Sequence, residues 1–294
     1  MSSQSVEFVA EVSSNHGCDL DRCQRFIEVS ADIGCGAVKF QQFKIRQLFA
    51  PEALRSNPAL LEREAWELPE SFNAELSAQA HDLGLKFSST PFYRDAVDLL
   101  ADHVDFFKLA SYQVPWLDLL RQVAQVGKPV VLSVGMATLE EIDRAVETLQ
   151  CSGCQDLQLL HCVSNYPTKP EHANLAAIDT LRARYDLPTG WSDHTVTPSV
   201  VERAVDRFDA TLIEFHLDLD EQGEEFSSGH CWLPDAIGSV IRRAKSGSIR
   251  ETVDLADGDG QVGPRPSEAH ERLWRSDPSD GLRPCLEERA RLSS

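Results

Sequence analysis

The sequence lacks an excess of positive charge. Among its 294 residues, 28 Lys and Arg are outnumbered by 47 Asp and Glu, and the formal net charge is -19. A surface that binds nucleic acid or an anionic membrane would act against this overall field, so we expect neither partner. An anionic ligand would instead need a local cluster of positive groups, which makes each buried lysine informative.

Hydrophobic runs that could span a membrane are also missing, because a span needs roughly 20 apolar residues. The amino terminus, MSSQSVEFVAEVSS, has no basic region followed by an apolar region, as a secretory signal would. We therefore expect a cytoplasmic protein. Without such a signal, the eight scattered cysteines do not indicate a disulfide framework. The lone C-x-x-C of Cys151 and Cys154 contains Gly153, and we interpret it as a turn rather than a metal site.

What the chain does contain is an alternation of short β-branched runs with amphipathic stretches of about a dozen residues, which is typical of repeated βα units. Thr138 followed by Glu141 predicts a capping box at the start of one helix. Eight strands are predicted, over residues 6–12, 37–43, 85–89, 104–110, 129–134, 157–163, 189–192 and 211–216.

Eight parallel strands with intervening helices predict a (β/α)8 TIM barrel over residues 1–246, a length close to the roughly 250 residues typical of that fold. The alternative is an open doubly wound sheet, which requires a glycine-rich turn after the first strand. The segment there, SSNHGCD, has a single glycine. Residues 247–294 are rich in Gly, Pro, Asp and Ser, and we expect an irregular C-terminal extension with a short helix near 267–274.

Polar side chains occur at the carboxyl end of every predicted strand, where TIM barrels carry their active sites. A single serine there is most often a turn residue, and a single histidine is more often a core residue than a ligand. Their convergence at one rim favours a site. The residues are Glu11, Lys39, Ser89, Thr90, Lys108, Ser111, Ser133, His161, Ser164, Ser192, Asp193, His194, Glu214 and His216.

These residue types limit the chemistry. Two lysines with several hydroxyls suit a compact dianion such as a phosphate ester, and Lys39 and Lys108 are the candidates. His194 and His216 end successive strands and could share a divalent cation. A Schiff base formed by one lysine is a rival role that composition leaves open.

The same residues lie in eight ordered runs that resemble the motifs of the sialic acid synthase family, which includes the N-acetylneuraminate, pseudaminate and legionaminate synthases. The resemblance extends from about residue 7 to 216, with a weaker one at GPRPSEAHERLWRS, residues 263–276. The runs are AEVSSNHGCDL, GAVKFQQFK, FSSTPF, FFKLASYQ, GKPVVLSVGMATLEEI, LLHCVSNYPT, GWSDHTV and IEFH.

The resemblance implies a barrel that condenses phosphoenolpyruvate with an aldose, with the help of a divalent metal ion, Mn or Mg. The products would be phosphate and a 3-deoxy-2-ulosonic acid. By position, His194 and His216 resemble the metal ligands, and Glu11 resembles a catalytic carboxylate near the metal and the acceptor. The phosphoenolpyruvate-binding set would be Lys39, Thr90, Lys108, Ser111, Ser133, Ser164 and Ser192, with Gln113, Tyr166 and Glu225 as further substrate-binding residues.

The sequence also departs from the family pattern, mainly on the acceptor side. Gln113 stands where the family motif has a glutamate. Phe215 stands where the family has a lysine before the histidine that corresponds to His216. Glu225 is the nearest equivalent of a family aspartate. Because the sequence ends at residue 294, we expect the family's C-terminal antifreeze-like domain to be absent. Acceptor recognition should then differ, the acceptor sugar stays open, and a homodimer would have to form through the barrel.

Two other readings stay open from the sequence. One is a barrel that has lost catalysis and binds a phosphorylated metabolite or a partner protein. The other is a metal-dependent aldolase that uses a different enol donor.

Overall fold

The β-strands pair in parallel and in chain order, and the eighth returns to pair with the first, so the sheet closes into a barrel. This computed structural model describes residues 6–249 and 254–293, and it confirms the predicted (β/α)8 barrel. Its strands are β1 Glu7–Glu11, β2 Ala37–Gln42, β3 Lys86–Pro91, β4 Phe106–Leu109, β5 Val130–Ser133, β6 Leu157–His161, β7 Thr189–Asp193 and β8 Leu212–Leu217. A short ninth strand, β9 Cys231–Trp232, pairs with β8 and was not predicted.

Helices surround the strands. The second loop, residues 44–68, contains two short helices and a 3₁₀ segment. The α-helices are α1 Leu20–Asp32, α2 Ile45–Leu48, α3 Pro51–Ser56, α4 Asn73–Asp82, α5 Asp95–Leu100, α6 Leu117–Gln125, α7 Leu139–Cys151, α8 Ala177–Tyr185, α9 Pro198–Asp206, α10 Pro234–Ser246, α11 Ala269–Leu273 and α12 Leu286–Leu292. No helix within the described residues is long and apolar enough to cross a membrane.

The interior of the barrel is layered by the two-residue period of its strands. Six strands each contribute one residue to an apolar layer. Two residues further along, each of these strands contributes to the next layer, which lies nearer the carboxyl ends. The first layer is Val9, Ala37, Phe106, Val131, Leu160 and Leu212. The second is therefore Glu11, Lys39, Lys108, Ser133, Cys162 and Glu214, so the polar groups lie directly above an apolar base.

Alternation also explains why Lys39 does not disturb the outer core. Its neighbours Val38 and Phe40 are fully buried in the large cluster between strands and helices. Lys39 belongs to the opposite side of β2, inside the barrel.

The start of α7 confirms the predicted capping box. The Glu141 amide donates to Thr138 Oγ1 at 3.3 Å, and the Thr138 amide donates to Glu141 Oε2 at 2.8 Å. The same carboxylate also accepts hydrogen bonds from Arg272 and Arg275, at 2.9 to 3.1 Å. One glutamate thus caps a barrel helix and anchors the C-terminal extension.

The described part of the extension packs against the barrel mouth. Its α11 falls within the predicted 267–274, whereas α12 was not predicted, and residues 250–253 and 294 lie outside the described part. A β-bridge joins Phe49 to Arg283. The Arg283 amide donates to Leu48 O at 2.8 Å, and the Ala50 amide donates to Arg283 O at 2.7 Å. The extension is therefore tied to the second loop by backbone hydrogen bonds.

The bridging glutamate gives a stability prediction. Burial raises the pKa of Glu141, but hydrogen bonds from Arg275 and Arg272 outweigh it and hold the pKa at about 2. Because the folded pKa is lowered, this stabilisation is complete above the unfolded pKa of roughly 4.3 and is lost as the pH falls toward 2. We expect Glu141→Gln to lower the free energy of unfolding by about 1–3 kcal/mol at pH 7, and by less at pH 3.

Urea denaturation at both pH values measures the difference. Glu147→Gln is the matched control, because Glu147 is exposed on the same helix, away from its capped end. An equal loss for the two variants, or a loss that does not shrink at pH 3, would contradict the anchoring role.

Candidate active site

A cavity of about 460 Å³ opens at the carboxyl ends of the barrel strands, within the size range of small-molecule sites. Most of the residues predicted from the sequence line it. They are Glu11, Lys39, Lys108, Ser111, Ser133, Tyr166, Ser192, His194, His216 and Glu225. The candidate residues that are not among the lining residues are Ser89, Thr90, Gln113, His161, Ser164 and Asp193.

Two lysines and two glutamates form a buried charge network at the base of the cavity. Glu214 lies between the lysines, with its Oε2 at 3.2 Å from Lys39 Nζ and its Oε1 at 3.1 Å from Lys108 Nζ. Lys39 also pairs with Glu11, and the Ser192 hydroxyl donates to Glu214 Oε1 at 3.1 Å. All four charged side chains are at most 6% exposed, so this group, which we call the charge quartet, is held away from water.

The quartet shifts the pKa values of its members in different directions. Burial raises the pKa of Glu214, but Lys108 and Lys39 outweigh it and bring the pKa to about 2. Burial lowers the pKa of Lys39, yet Glu11 and Glu214 together raise it. For Lys108, burial prevails and the pKa falls, since it has Glu214 alone as an adjacent carboxylate and is repelled by Lys39. Glu214 is thus a fixed anion that orients both ammonium groups.

Several hydroxyls at the ends of the barrel strands lack partners. The side-chain oxygens of Thr90, Ser133 and Ser164 are buried and accept or donate no hydrogen bond among the described residues. An unsatisfied buried polar group costs about 1–3 kcal/mol, so three of them near one rim call for an explanation. A polar ligand with several acceptor oxygens would satisfy them.

Histidines cluster on the other side of the cavity. His194 Nδ1 lies 2.8 Å from the Val163 carbonyl, so Nδ1 carries the hydrogen and Nε2 keeps its lone pair. Burial and the neighbouring His216 hold the pKa of His194 well below its usual value. The His194 and His216 ring centroids are 5.5 Å apart. The Tyr166 ring packs 4.3 Å from His194, between centroids.

Glu225 joins this cluster. Its Oε2 lies 3.0 Å from His216 Nδ1 and 3.4 Å from His230 Nε2. One ligand atom each from His216, Glu225, His230 and Cys231 lie within 4.8 Å of one another. These groups are of the types that hold a metal ion.

Gln113 is placed away from the cavity. It is fully buried, its side-chain oxygen accepts from the Ala110 amide at 2.8 Å, and its amide donates to the Pro91 carbonyl. It therefore holds the turn after β4 against the end of β3. This position gives no support to the predicted role of Gln113 in substrate binding, and we leave it out of the proposed site.

Sequence reasoning gave no role to many residues of the cavity wall, among them Glu214, His230, Glu271 and Arg283. Glu214 is within the strand-end pattern, but its pairing with two lysines depends on the register between strands, which the sequence does not give. His230 follows a loop without periodicity. Glu271 and Arg283 belong to the C-terminal extension, which gives no sign in the sequence of reaching the mouth.

Known proteins are similar to this chain in both sequence and fold. The family model described as the NeuB family matches residues 26–251, more than half of the chain. The chain belongs to the NeuB family. The resemblance to sialic acid synthases predicted from the motifs is thereby confirmed.

Two relatives and one solved structure illustrate the range of this NeuB-family match. The N,N'-diacetyllegionaminic acid synthase of Campylobacter jejuni is 34% identical, over 72% of this chain and 67% of its own length. The N-acetylneuraminate-9-phosphate synthase of Drosophila melanogaster is 28% identical, over 88% and 74%. The crystal structure of spore coat polysaccharide biosynthesis protein SpsE from Bacillus subtilis aligns with a TM-score of 0.79 at 28% identity, covering 92% and 77%. The expectation that this NeuB-family chain is an enzyme of the synthase type is confirmed.

The charge quartet predicts strong energetic coupling between its members. Glu214→Gln leaves two buried ammonium groups with one carboxylate, and we expect it to lower the free energy of unfolding by about 3–5 kcal/mol. The double variant Lys108→Met with Glu214→Gln should be less destabilised than the sum of the single variants, by at least about 1 kcal/mol. Urea denaturation of all four proteins gives this coupling energy.

The exposed pair of Lys86 and Glu7, 3.0 Å apart, provides the control cycle. Its coupling should not exceed about 1 kcal/mol, because water screens surface pairs. Additive effects at Lys108 and Glu214 would show that the quartet is not an energetic unit.

Proposed function

We propose that this protein condenses phosphoenolpyruvate with an aldose to give a 3-deoxy-2-ulosonic acid and phosphate. C3 of the enol forms a bond to the aldehyde carbon, water adds at C2, and phosphate leaves by cleavage of its bond to C2. The observation that carries the proposal is the cavity itself, whose lining combines the charge quartet and the unpartnered Ser133 hydroxyl with the histidine cluster. Membership of the NeuB family, with relatives named as synthases of such sugar acids, supports it.

The donor would bind at the quartet. Lys39 contacts two carboxylates and Lys108 one, and since an ammonium group has three donors, both lysines retain hydrogens for a ligand. The Ser133 hydroxyl, which lines the cavity and is unpartnered, would complete the hydrogen bonds of the donor's phosphate or carboxylate. Thr90 and Ser164, which lie outside the cavity lining, remain predicted donor-binding residues. Charge clamping of this kind uses lysines already tied to carboxylates, which disfavours a Schiff base.

The histidine cluster fits a divalent metal ion. His216 would hold it together with Glu225, His230 and Cys231, whose ligand atoms lie within 4.8 Å of one another. His194, the other predicted ligand, lies beside this group and keeps a lone pair on Nε2. Imidazole and thiol groups bind first-row transition ions in preference to magnesium, so of the two predicted metals we favour manganese. When bound, such an ion would polarise the acceptor carbonyl.

Glu11 links the two halves of the site. Its Oε1 accepts from the Ser13 amide at 2.7 Å and from Gln41 Nε2 at 3.3 Å. Glu11 also lies opposite His216 in the pairing of β1 with β8. We therefore assign Glu11 the role of positioning the reacting aldehyde beside the donor.

Phosphate release tests the function directly. Protein is incubated with phosphoenolpyruvate, Mn²⁺ or Mg²⁺ and a panel of aldoses, and free phosphate is measured. We expect release that requires both an aldose and the metal. Tight donor binding without release for any aldose would favour a non-catalytic barrel, and aldol chemistry that needs no phosphoenolpyruvate would favour an aldolase with another donor.

Single substitutions separate the two halves of the site. Lys108→Met should abolish phosphoenolpyruvate binding, measured by calorimetry, because it removes a charge clamp. His216→Ala should preserve most of that binding and remove turnover. Lys86→Met and His81→Ala, both at exposed positions, are the controls. Equal loss of binding in Lys108→Met and His216→Ala would contradict the division of roles.

Metal binding can be followed without activity. Titration of Mn²⁺ by electron paramagnetic resonance should show a bound ion in the wild type and at least about tenfold weaker binding in Glu225→Gln. His81→Ala should bind like the wild type. Displacement of Mn²⁺ by an equal concentration of Mg²⁺ would argue against the preference for manganese.

A further inference from the structure

Arg283 of the C-terminal extension lines the cavity and is held rigidly there. Its backbone hydrogen bonds to Leu48 and Ala50 fix the main chain. Its guanidinium carbon lies 4.2 Å from the Tyr112 ring centroid and 5.0 Å from that of Phe92. Two aromatic rings and a β-bridge thus determine where this cation is placed.

One edge of the guanidinium has no hydrogen-bond partner among the described residues. Nε and Nη2 of Arg283 are buried and have no hydrogen-bond partner among the described residues. The nearby Glu271 is engaged elsewhere, since its Oε2 accepts from the Tyr112 hydroxyl at 2.5 Å. Burial lowers the pKa of Arg283 to about 10, despite the opposing effect of Tyr112, Tyr166 and Glu271. An unpaired buried charge is costly unless a ligand compensates it.

Other arginines of this chain show what the unpaired edge can bind. Nε and Nη2 of Arg184 donate to the two carboxylate oxygens of Asp143, at 2.9 and 2.6 Å. The same two nitrogens of Arg203 donate to Asp257, at 2.8 and 2.6 Å. In Arg184 and Arg203 the Nε and Nη2 edge binds a carboxylate. The same edge of Arg283 has no such anion in the described part of the chain.

Position in the barrel separates Arg283 from the donor site. Lys39 and Lys108 belong to strands β2 and β4, in the layer above the apolar base. The rings that contact Arg283 follow strand ends, with Phe92 after β3 and Tyr112 after β4. Arg283 therefore lies further toward solvent than the lysines, where a second substrate would approach a donor bound below.

We propose that Arg283 binds an anionic group, a phosphate or a carboxylate, carried by the acceptor aldose. This inference rests on the proposed condensation and deepens it by naming the acceptor class. Arg283 would act as a specificity-determining residue, because its planar edge selects two oxygen atoms of one group. The donor's own anionic groups would be bound by the quartet.

The test compares one aldose with its 6-phosphate and its uronic acid. For the wild type, kcat/KM should be higher with one of the two anionic acceptors, by about 10- to 100-fold, as expected for a charge-assisted bidentate contact. Arg283→Met should remove that preference and leave the neutral aldose nearly unchanged. Arg283→Lys should restore part of it. Comparing the 6-phosphate with the uronic acid identifies which anion is recognised.

The controls separate binding from folding. Arg46→Met removes an exposed arginine and should retain the preference, and melting temperatures show whether the Arg283 variants fold. Equal losses for neutral and anionic acceptors, or weaker phosphoenolpyruvate binding in Arg283→Met, would overturn the proposal. If no aldose supports phosphate release, the condensation itself fails. In that case calorimetry with the aldose 6-phosphate and uronic acid still decides the anion site, and absence of binding to the wild type overturns it.

Discussion

Glu214 is the group on which the rest of the site depends. It lies at the base of the cavity, almost without water, between Lys39 and Lys108. The two ammonium groups would repel each other in a medium of low dielectric constant. A buried anion between them allows both to lie within one small layer. Removing one member of such a network leaves an uncompensated charge, so the lysines and glutamates are best understood as one unit.

The C-terminal extension is a structural part of the mouth. Glu268, which is buried, accepts from the Ser164 amide at 2.6 Å and so holds the loop after β6. Glu271 accepts from Tyr112, and Arg283 packs on the same ring. The extension therefore fixes the outer wall of the cavity, while the barrel strands carry its base. Under the proposed function, donor binding would belong to the strands and acceptor selection to the loops.

Much of the fold could be predicted from the sequence, because alternating apolar periods of two and 3.6 residues report directly on strands and helices. The same period located Lys39, Lys108 and Glu11 at the strand ends. Pairing across the barrel could not be predicted, since it depends on the register between β1, β2, β4 and β8. The two-residue strand β9 is too short to show a period.

The extension was the least predictable part, because its contacts are made by isolated side chains such as Glu268 and Arg283 in a segment without periodicity. Gln113 shows how a motif position and a side-chain contact can differ. It occupies a motif position that the resemblance relates to substrate, yet both ends of its amide are bonded to the backbone. A motif fixes the position of a residue in the sequence. Its neighbours in the folded protein determine what its side chain contacts.

The central claim is that the charge quartet forms the donor site. A crystal structure of the protein with phosphoenolpyruvate bound tests it most directly. We predict that the ligand's anionic groups lie within hydrogen-bond distance of Lys39 and Lys108 and of the Ser133 hydroxyl. A ligand bound at Arg283 instead, with the lysines in contact only with their glutamates, would contradict the account.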